Sequence, residues 1–523
     1  MDWANQPNPF RVFDGARRLQ LDLPRLDREP LYDELFEPGR VPAVGLDHGA
    51  ISRLFRDSLA ISAWKQAPGR PAMPLRVNPS SGNLHPTEAY LVAGPVEGLS
   101  DEAAVYHYAP SAHILERRIG LTGDEWESLT SQLPPDSVLL ALTSIYWRES
   151  WKYGERAFRY CHLDGGHAIG AVAFAAAALG WRANLIETVP DDALAILTGI
   201  AAQTGEEAEH PDTLLCLFPP QRNTKAADIA LSLPDELLRR LGNTPAEGRT
   251  NRLSHRHCPW PAIDEVAAAT RFTGRITRRR KKVTGDEKAL TDGKPLDSHS
   301  KVARSIFSQR RSAQEMDGET TISRDRFFRM LARALPRRGV APFDTLPWRP
   351  RVALVIFVHR VEGLERGAYV LIRHPDQEES LRRTLHGSAA WATPEGTPPG
   401  LGFFLLQTGD FRRTAQIVSC HQPVASDGAF SLAMLSEFEP ALRKRGPSFY
   451  PRLFWEAGLV GHVLYLEAEA AGLRATGLGC FFDDTVHRFF GIKNRAWQSL
   501  YHITVGKPVE DSRLKTIAPY ASL

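Results

Sequence analysis

The sequence predicts an α+β protein built as two copies of one domain joined head to tail. Three observations carry that prediction. Helix-like and strand-like runs alternate without the regular strand–helix–strand beat of a parallel sheet. Asp164-Gly165-Gly166-His167 lines up with Glu456-Ala457-Gly458-Leu459 at an offset of 292. Without a gap, the same offset pairs Gly180 with Gly472, Arg182 with Arg474, Ala183 with Ala475, Asp191-Asp192 with Asp483-Asp484, and Gly199-Ile200 with Gly491-Ile492. Further upstream, Val96-Glu97-Gly98-Leu99 recurs as Val361-Glu362-Gly363-Leu364 at an offset of 265. Repeats at this period are whole domains. The change of offset implies extra chain in the second half, expected around Phe411–Ala441.

The elements follow in order. In the first half, residues 50–63 read as a helix, 89–93 and 138–144 as strands, 166–179 as a small-residue helix and 212–218 as a closing strand. Their counterparts are a helix over 323–334, strands over 352–358 and 402–407, a helix over 458–472 and a strand over 499–506. Domain boundaries are expected at residues 1–241 and 301–523. Between them, 242–300 is rich in Gly, Thr, Ser and charge, and reads as a basic linker, partly disordered.

Bulk properties exclude several classes. A chain of 523 residues exceeds one ordinary domain. With 43% hydrophobic and 24% charged residues it has the balance of a soluble globular protein. Its 64 Lys and Arg stand against 61 Asp and Glu, so no general attraction to nucleic acid or anionic membrane is expected. The start Met1-Asp2-Trp3 lacks the features of a secretory leader, and the apolar run Ala168–Trp181 is too short to cross a bilayer. Cys161, Cys216, Cys258, Cys420 and Cys480 form no CxxC pair, so no disulfide framework is expected and a cytoplasmic location follows. Cys480 reads as a buried structural thiol. His255-Arg256-His257-Cys258 lacks a fourth ligand at compatible spacing, so no metal is expected. The run Arg278–Lys282 is either a solvated linker or a nucleic-acid tether.

Four segments carry candidate chemistry. Pro79, Ser80, Ser81, Gly82 and Asn83 form a turn-rich loop that bares backbone N–H groups with little side-chain bulk, before the strand that begins near Ala89. Arg310, Arg311 and Ser312 offer bidentate cations and a hydroxyl to a phosphate, or form a solvated basic patch. Gly477, Leu478 and Gly479 permit close approach to a ring, or make an ordinary Gly-rich loop. Lys507 adds a cation at a strand exit. Lys152 and Tyr153 either begin a basic helix with aromatics in the core or serve as proton handlers with shifted pKa.

The stretch Leu75–Tyr90, with Lys152-Tyr153 and Arg310-Arg311-Ser312, resembles the nitroreductase superfamily, specifically its SagB-type dehydrogenase branch. Those enzymes oxidise azoline rings in modified peptides. The resemblance covers most of both halves. It implies two fused nitroreductase-like domains, each a mostly antiparallel central sheet with helices, forming an internal pseudo-dimer from what is normally an intimate homodimer. It implies FMN as cofactor, held by the Pro79–Asn83 loop, Arg310–Ser312, Gly477–Gly479 and Lys507, with Lys152 and Tyr153 in the proton chemistry. At the latter position the second copy reads Ser448-Phe449-Tyr450, Tyr kept and Lys lost. The first half lacks an Arg-Arg-Ser, and the second has no Pro-Ser-Ser-Gly-Asn around Pro342–Arg351. Complementary losses imply one composite flavin site and one decayed site. The expected activity is hydride transfer between flavin N5 and a small molecule or modified peptide; a catalytically decayed, partner-binding scaffold is the alternative.

Overall fold

A computed structural model of the chain describes residues 2–23, 29–220, 229–274, 301–385 and 390–520. Two antiparallel sheets dominate it. The first contains β1 (Arg18–Gln20), β4 (Thr87–Ala93), β5 (Ala104–Ala109), β6 (Ile114–Gly120), β7 (Val138–Ser144), β8 (Arg182–Ile186) and β9 (His210–Phe218), in the order β1-β6-β5-β4-β7-β9-β8. The second contains β10 (Val352–Val358), β11 (Gly367–Leu371), β12 (Phe403–Thr408), β13 (Phe430–Glu437), β14 (Arg474–Leu478) and β15 (Trp497–Gly506), in the order β12-β11-β10-β13-β15-β14. Apart from the edge strand β1 the two orders are the same, so the duplication seen in the sequence is a duplication of fold. β4, β7, β10 and β13 are buried along their whole length. Both faces of each sheet are covered, which is why these strands read as continuous apolar runs rather than as alternation.

Two long helices join the halves. α3 (Ala157–Ala178) and α7 (Tyr450–Ala470) are buried almost all round, as core helices are. They cross at Gly166 and Gly458, the glycines matched by the repeat. A Cβ on Gly166 would lie 2.8 Å from Trp455 Cα and 2.9 Å from Gly458 Cα. One hydrophobic core runs through both halves at this crossing, and smaller clusters lie behind each sheet. The C-terminal strand β16 (Lys515–Ile517) reaches back to the first half. There it forms a small sheet with β2 (Ile61–Gln66) and β3 (Met73–Arg76).

Three sequence expectations need correction. The helix expected over 50–63 is α1 (His48–Ser58), capped by Asp47; its remainder becomes β2, because pairing with β3 and β16 overrides local preference. The extra chain of the second half is not at Phe411–Ala441. Gly367 follows Ala104 by 263 positions and Phe403 follows Ile114 by 289, so it lies in the β11–β12 connection. Cys420 and Cys480 form a disulfide, and Cys480 is exposed. Two cysteines 60 positions apart cannot be paired without knowing which loops meet, and with the bond present the cysteine pattern no longer argues for a reducing compartment. Within the segment expected as a linker, Arg249–Thr250 pairs with Phe13–Asp14, and α5 (Pro261–Thr270) packs on α3; Arg278–Lys282 lies outside the described residues. Among the described residues, no helix is long and apolar enough to cross a membrane, and no cluster of three or more metal-ligating side chains occurs.

Candidate active site

The loop between β3 and β4 is unusual in its backbone. Gly82, Asn83 and His85 all have left-handed φ, at +56°, +59° and +55°. For residues other than glycine such a conformation costs about 1 kcal/mol or more and needs outside support. Four contacts supply it. Asp164 of α3 accepts from Ser81 N at 3.0 Å to each carboxylate oxygen, and from Ser81 Oγ at 2.9 Å. Ser80 Oγ accepts from His85 N at 2.8 Å. Asn83 Nδ2 donates to Pro74 O at 2.9 Å. Arg148 Nη1 donates to His85 O at 2.7 Å and to Glu88.

Arg148 lies on α2 (Tyr146–Tyr153), which also carries Lys152 and Tyr153. Both side chains come over the loop: a Cβ at Gly82 would lie 2.5 Å from the Tyr153 hydroxyl and 3.0 Å from Lys152 Nζ. A larger residue at position 82 would displace one or both of these side chains, on a backbone already left-handed. Glu149, one turn back on the same face, is fully buried with no hydrogen-bond partner on either oxygen. Burial, then the charge of Asp164, pushes its pKa well up. Burial and Glu149 raise Tyr153 in turn. Burial lifts Asp164 to about 7 against the hydrogen bonds from Ser80 and Ser81.

The second half meets this loop from across the interface. Arg310, 5% exposed, donates from Nε to Val77 O and from Nη2 to Arg76 O, both at 3.0 Å. Its guanidinium thus straps the halves together at the loop's entrance instead of lying open to a phosphate. Ser312 Oγ and Gly477 N both bond the Tyr465 hydroxyl, at 2.9 and 2.8 Å, and His167 Nε2 bonds the Tyr501 hydroxyl at 3.1 Å. A Cβ at Gly479 would lie 2.5 Å from the ring of Tyr160, which meets Tyr153 edge-on at 4.6 Å. The Pro79–Asn83 loop, Lys152, Tyr153, Ser312 and Gly477–Gly479 therefore converge on one locus between the halves.

The cations nearest this locus differ in part from those expected. Arg311 is held down to about 10 by burial and by Arg310 and Arg474, and Lys65 of β2 is lowered by burial and the same neighbours, Arg474 and Arg311. Arg474 pairs with Glu469 at 3.5 Å and Glu510 at 3.6 Å, so Lys65, Arg311 and Arg474 belong to a mixed ion cluster, while Lys507 is exposed at the end of β15, its carbonyl accepting from Asp317 N. Sequence reasoning missed Lys65, Arg474, Glu149, Asp164, Tyr160, Tyr465 and Tyr501. Asp164 and Arg474 stand inside the matched repeat and were readable there. Glu149 and Tyr160 stand within a few turns of Tyr153 in sequence, and Lys65, Tyr465 and Tyr501 reach the locus only through contacts across the chain.

The pseudo-symmetric locus is built differently. The helix Glu439–Arg445 ends at Gly446 as α2 ends at Gly154, both glycines with positive φ. Lys152-Tyr153 therefore corresponds to Lys444-Arg445, not to Ser448–Tyr450; the lysine is kept and the tyrosine lost. At the offset of 292, Tyr160 corresponds to Arg452 and Gly479 to Glu187. Glu187 pairs with Arg445 at 2.5 Å and Arg452 at 3.8 Å, and Arg452 lies 5.0 Å over the ring of Phe272. What remains is a cavity of about 40 Å³ lined in part by His162, Asp191, Asp212, Phe272 and Arg452, with room for about three waters.

Comparison with known proteins agrees with this architecture. Residues 308–507 match the sequence model of the nitroreductase family. That match covers most of the second half of the chain. A protein of Methanocaldococcus jannaschii named a "putative nitroreductase" is 32% identical over 108 residues, 20% of this chain. The match spans 52% of that relative's length. A crystal structure from Anabaena variabilis, of a protein given the same name, superposes with a TM-score of 0.66 at 22% identity, covering 97% of this chain and 95% of that one. That likeness establishes the nitroreductase-like α+β fold over both halves. The E. coli microcin synthetase McbBCD complex, with truncated pro-MccB17 bound, superposes over 38% of this chain and 73% of that chain at 18% identity and a TM-score of 0.28, too low to bear on function.

Proposed function

We propose that this chain is an FMN-dependent oxidoreductase with one composite active site between its halves. The observation that carries the reading is the asymmetry of the two equivalent loci: Tyr153, Tyr160 and Gly479 at one, the ion cluster of Arg445, Arg452 and Glu187 at the other. The residues at the first locus suit a flavin. Gly82 and Gly479 let the Tyr153 hydroxyl and the Tyr160 ring close on the backbone where a Cβ would clash, the bared loop offers backbone donors, and Lys65, Arg311 and Arg474 offer cations to a phosphate. When bound, the cofactor supplies two-electron hydride chemistry. The chain's own residues bind it, orient the partner molecule and handle the proton. Lys152 Nζ and the Tyr153 hydroxyl, side by side over Gly82, are the groups placed to take or give that proton. Glu149 behind them, its pKa pushed well up by burial and by Asp164, adds a carboxyl to the same buried group.

The substrate reading follows from the sequence resemblance. An azoline in a modified peptide gives up a hydride and a ring proton to become an azole, and a Lys–Tyr pair suits the proton half of that change. Nitro- and quinone-type acceptors fit the same site. The purified protein's visible spectrum and the flavin released on denaturation test the assignment. About one FMN per chain is expected. Two per chain would overturn the single-site reading, and a colourless protein that FMN cannot reconstitute would leave a scaffold role in its place.

A further inference from the structure

The long helices carry a second matched pair besides their crossing glycines. Asp164 stands two residues before Gly166, and Glu456 two residues before Gly458. Each carboxylate turns to the loop that precedes the first fully buried strand of its own sheet. Asp164 takes Ser81 N and Oγ; Glu456 takes Arg351 N and Val352 N, all within 3.0 Å. The held positions are not equivalent: Ser81 lies six residues before β4, whereas Arg351 and Val352 stand at the start of β10. The surroundings of the two carboxylates differ as well. Glu456 is also bound by the Arg373 guanidinium at 2.7 Å and by Trp348 Nε1 at 3.3 Å, which fixes that loop in the half without the Pro-Ser-Ser-Gly-Asn sequence. Asp164, 2% exposed, is bonded only by the loop's own neutral donors. The titratable groups that feel its charge are Glu149 and Tyr153 of α2, Cys161 on its own helix and Tyr501 of β15, none of them a cation.

We propose that Asp164 is a positioning residue: its carboxylate, by holding Ser81 N and Oγ, sets the left-handed backbone at Gly82 and Asn83 and so sets the affinity of the composite site for flavin. The inference rests on the reading of that site given above. Asp164 is also the loop's direct link to the crossing of α3 and α7, so packing between the halves is transmitted to the loop through one side chain. An ionised Asp164 presents acceptors to both Ser81 donors, whereas a protonated one gives up an acceptor position to its own hydrogen. Burial places that change near neutrality.

The test compares wild type with Asp164→Asn and Asp164→Ala in two assays on the full chain. The first is FMN affinity by fluorescence quenching between pH 6 and pH 9. The second is amide hydrogen exchange of residues 78–86 without added flavin. Asp164→Ala is expected to weaken FMN binding at least tenfold at pH 8 and to speed exchange of the loop. Asp164→Asn, which keeps shape and one acceptor, is expected to fall between and to remove the loss of affinity that wild type shows below pH 7. If the alanine variant does not fold, the asparagine variant decides. Unchanged loop exchange together with an unchanged affinity and pH profile in either folded variant would overturn the proposal. Failure of wild type itself to bind FMN would sink the flavin reading, while the exchange comparison would still show whether Asp164 holds the loop.

Discussion

Asp212→Asn should change the pH dependence of stability by an amount that follows from its surroundings. Asp212 lies on β9 beside the cavity of the pseudo-symmetric locus, with its side chain 1% exposed. Ser144 Oγ donates to Oδ2 at 2.6 Å, and Oδ1 has no hydrogen bond. The nearest imidazole, His162 at 3.5 Å, is held neutral by its own burial, with a pKa of about 3. No cation compensates the carboxylate, so burial pushes it to about 8, with Asp191 adding to the rise. An unfolded aspartate titrates near ~3.9. Between those values the folded chain holds a proton that the unfolded chain has released, so stability falls as pH rises and levels off above pH 8. Four pKa units at ~1.4 kcal/mol each give a total on the order of 5 kcal/mol. An amide accepts the Ser144 hydrogen bond and never ionises. The variant should therefore exceed wild type by about 1.5 kcal/mol at pH 5 and by about 5 kcal/mol at pH 9. A chain of two packed domains need not unfold in two states, so the assay is the difference in Tm between wild type and variant across pH 5–9. Titrations not coupled to Asp212 cancel in that difference, which should open by roughly 8 °C between pH 5 and pH 9 at about 2 °C per kcal/mol. Parallel Tm profiles would refute the reasoning, because they would mean that Asp212 ionises in the folded chain at an ordinary carboxylate pKa.

Three further outcomes are expected. Gly166→Ala should lower stability by about 3 kcal/mol or more and abolish flavin retention, since the new methyl would meet the backbone of Trp455 and Gly458 rather than a yielding side chain; thermal unfolding and released flavin check both. Tyr153→Phe and Lys152→Met should leave flavin content unchanged but slow reoxidation of the dithionite-reduced protein by a quinone by ~10²-fold or more; stopped-flow absorbance at equal flavin loading measures this, and wild-type rates in both would remove them from the proton chemistry. Thiol titration of the denatured, unreduced chain should find three thiols of five cysteines, and Cys480→Ser should speed hydrogen exchange in 418–424 and 478–482; five thiols would mean that Cys420 and Cys480 are not bonded.

What the sequence made legible, and what it hid, divides along the symmetry of the duplication. The strands Val138–Ser144 and Val352–Val358 were readable to the residue because both faces of each are buried, leaving an unbroken apolar run between polar ends. The crossing glycines were readable because two backbones that touch at a pseudo-twofold axis exclude a side chain from both copies. Asp164 and Glu456 were visible in the same alignment for a related reason: each holds backbone N–H groups at or before a buried strand of its own half. Residues kept by both copies are thus the framework. The chemistry lies where the copies differ, as in Tyr153 against Arg445, Tyr160 against Arg452 and Gly479 against Glu187, and such differences can be read only in the correct register. Matching one tyrosine to another drew Tyr153 to Tyr450, five positions from its true partner Arg445, and hid that Lys444 is retained. The helix-ending glycines at 154 and 446 restore the register. Contacts made once, across the chain, leave no such trace. Arg310 looks like an open phosphate ligand until Arg76 and Val77 are found opposite it, and the cations proposed for that role in its place, Lys65 and Arg474, come from β2 and β14, two strands that do not pair with each other. In a duplicated chain, the broken symmetry can therefore be read only after the retained symmetry has fixed which residues to compare.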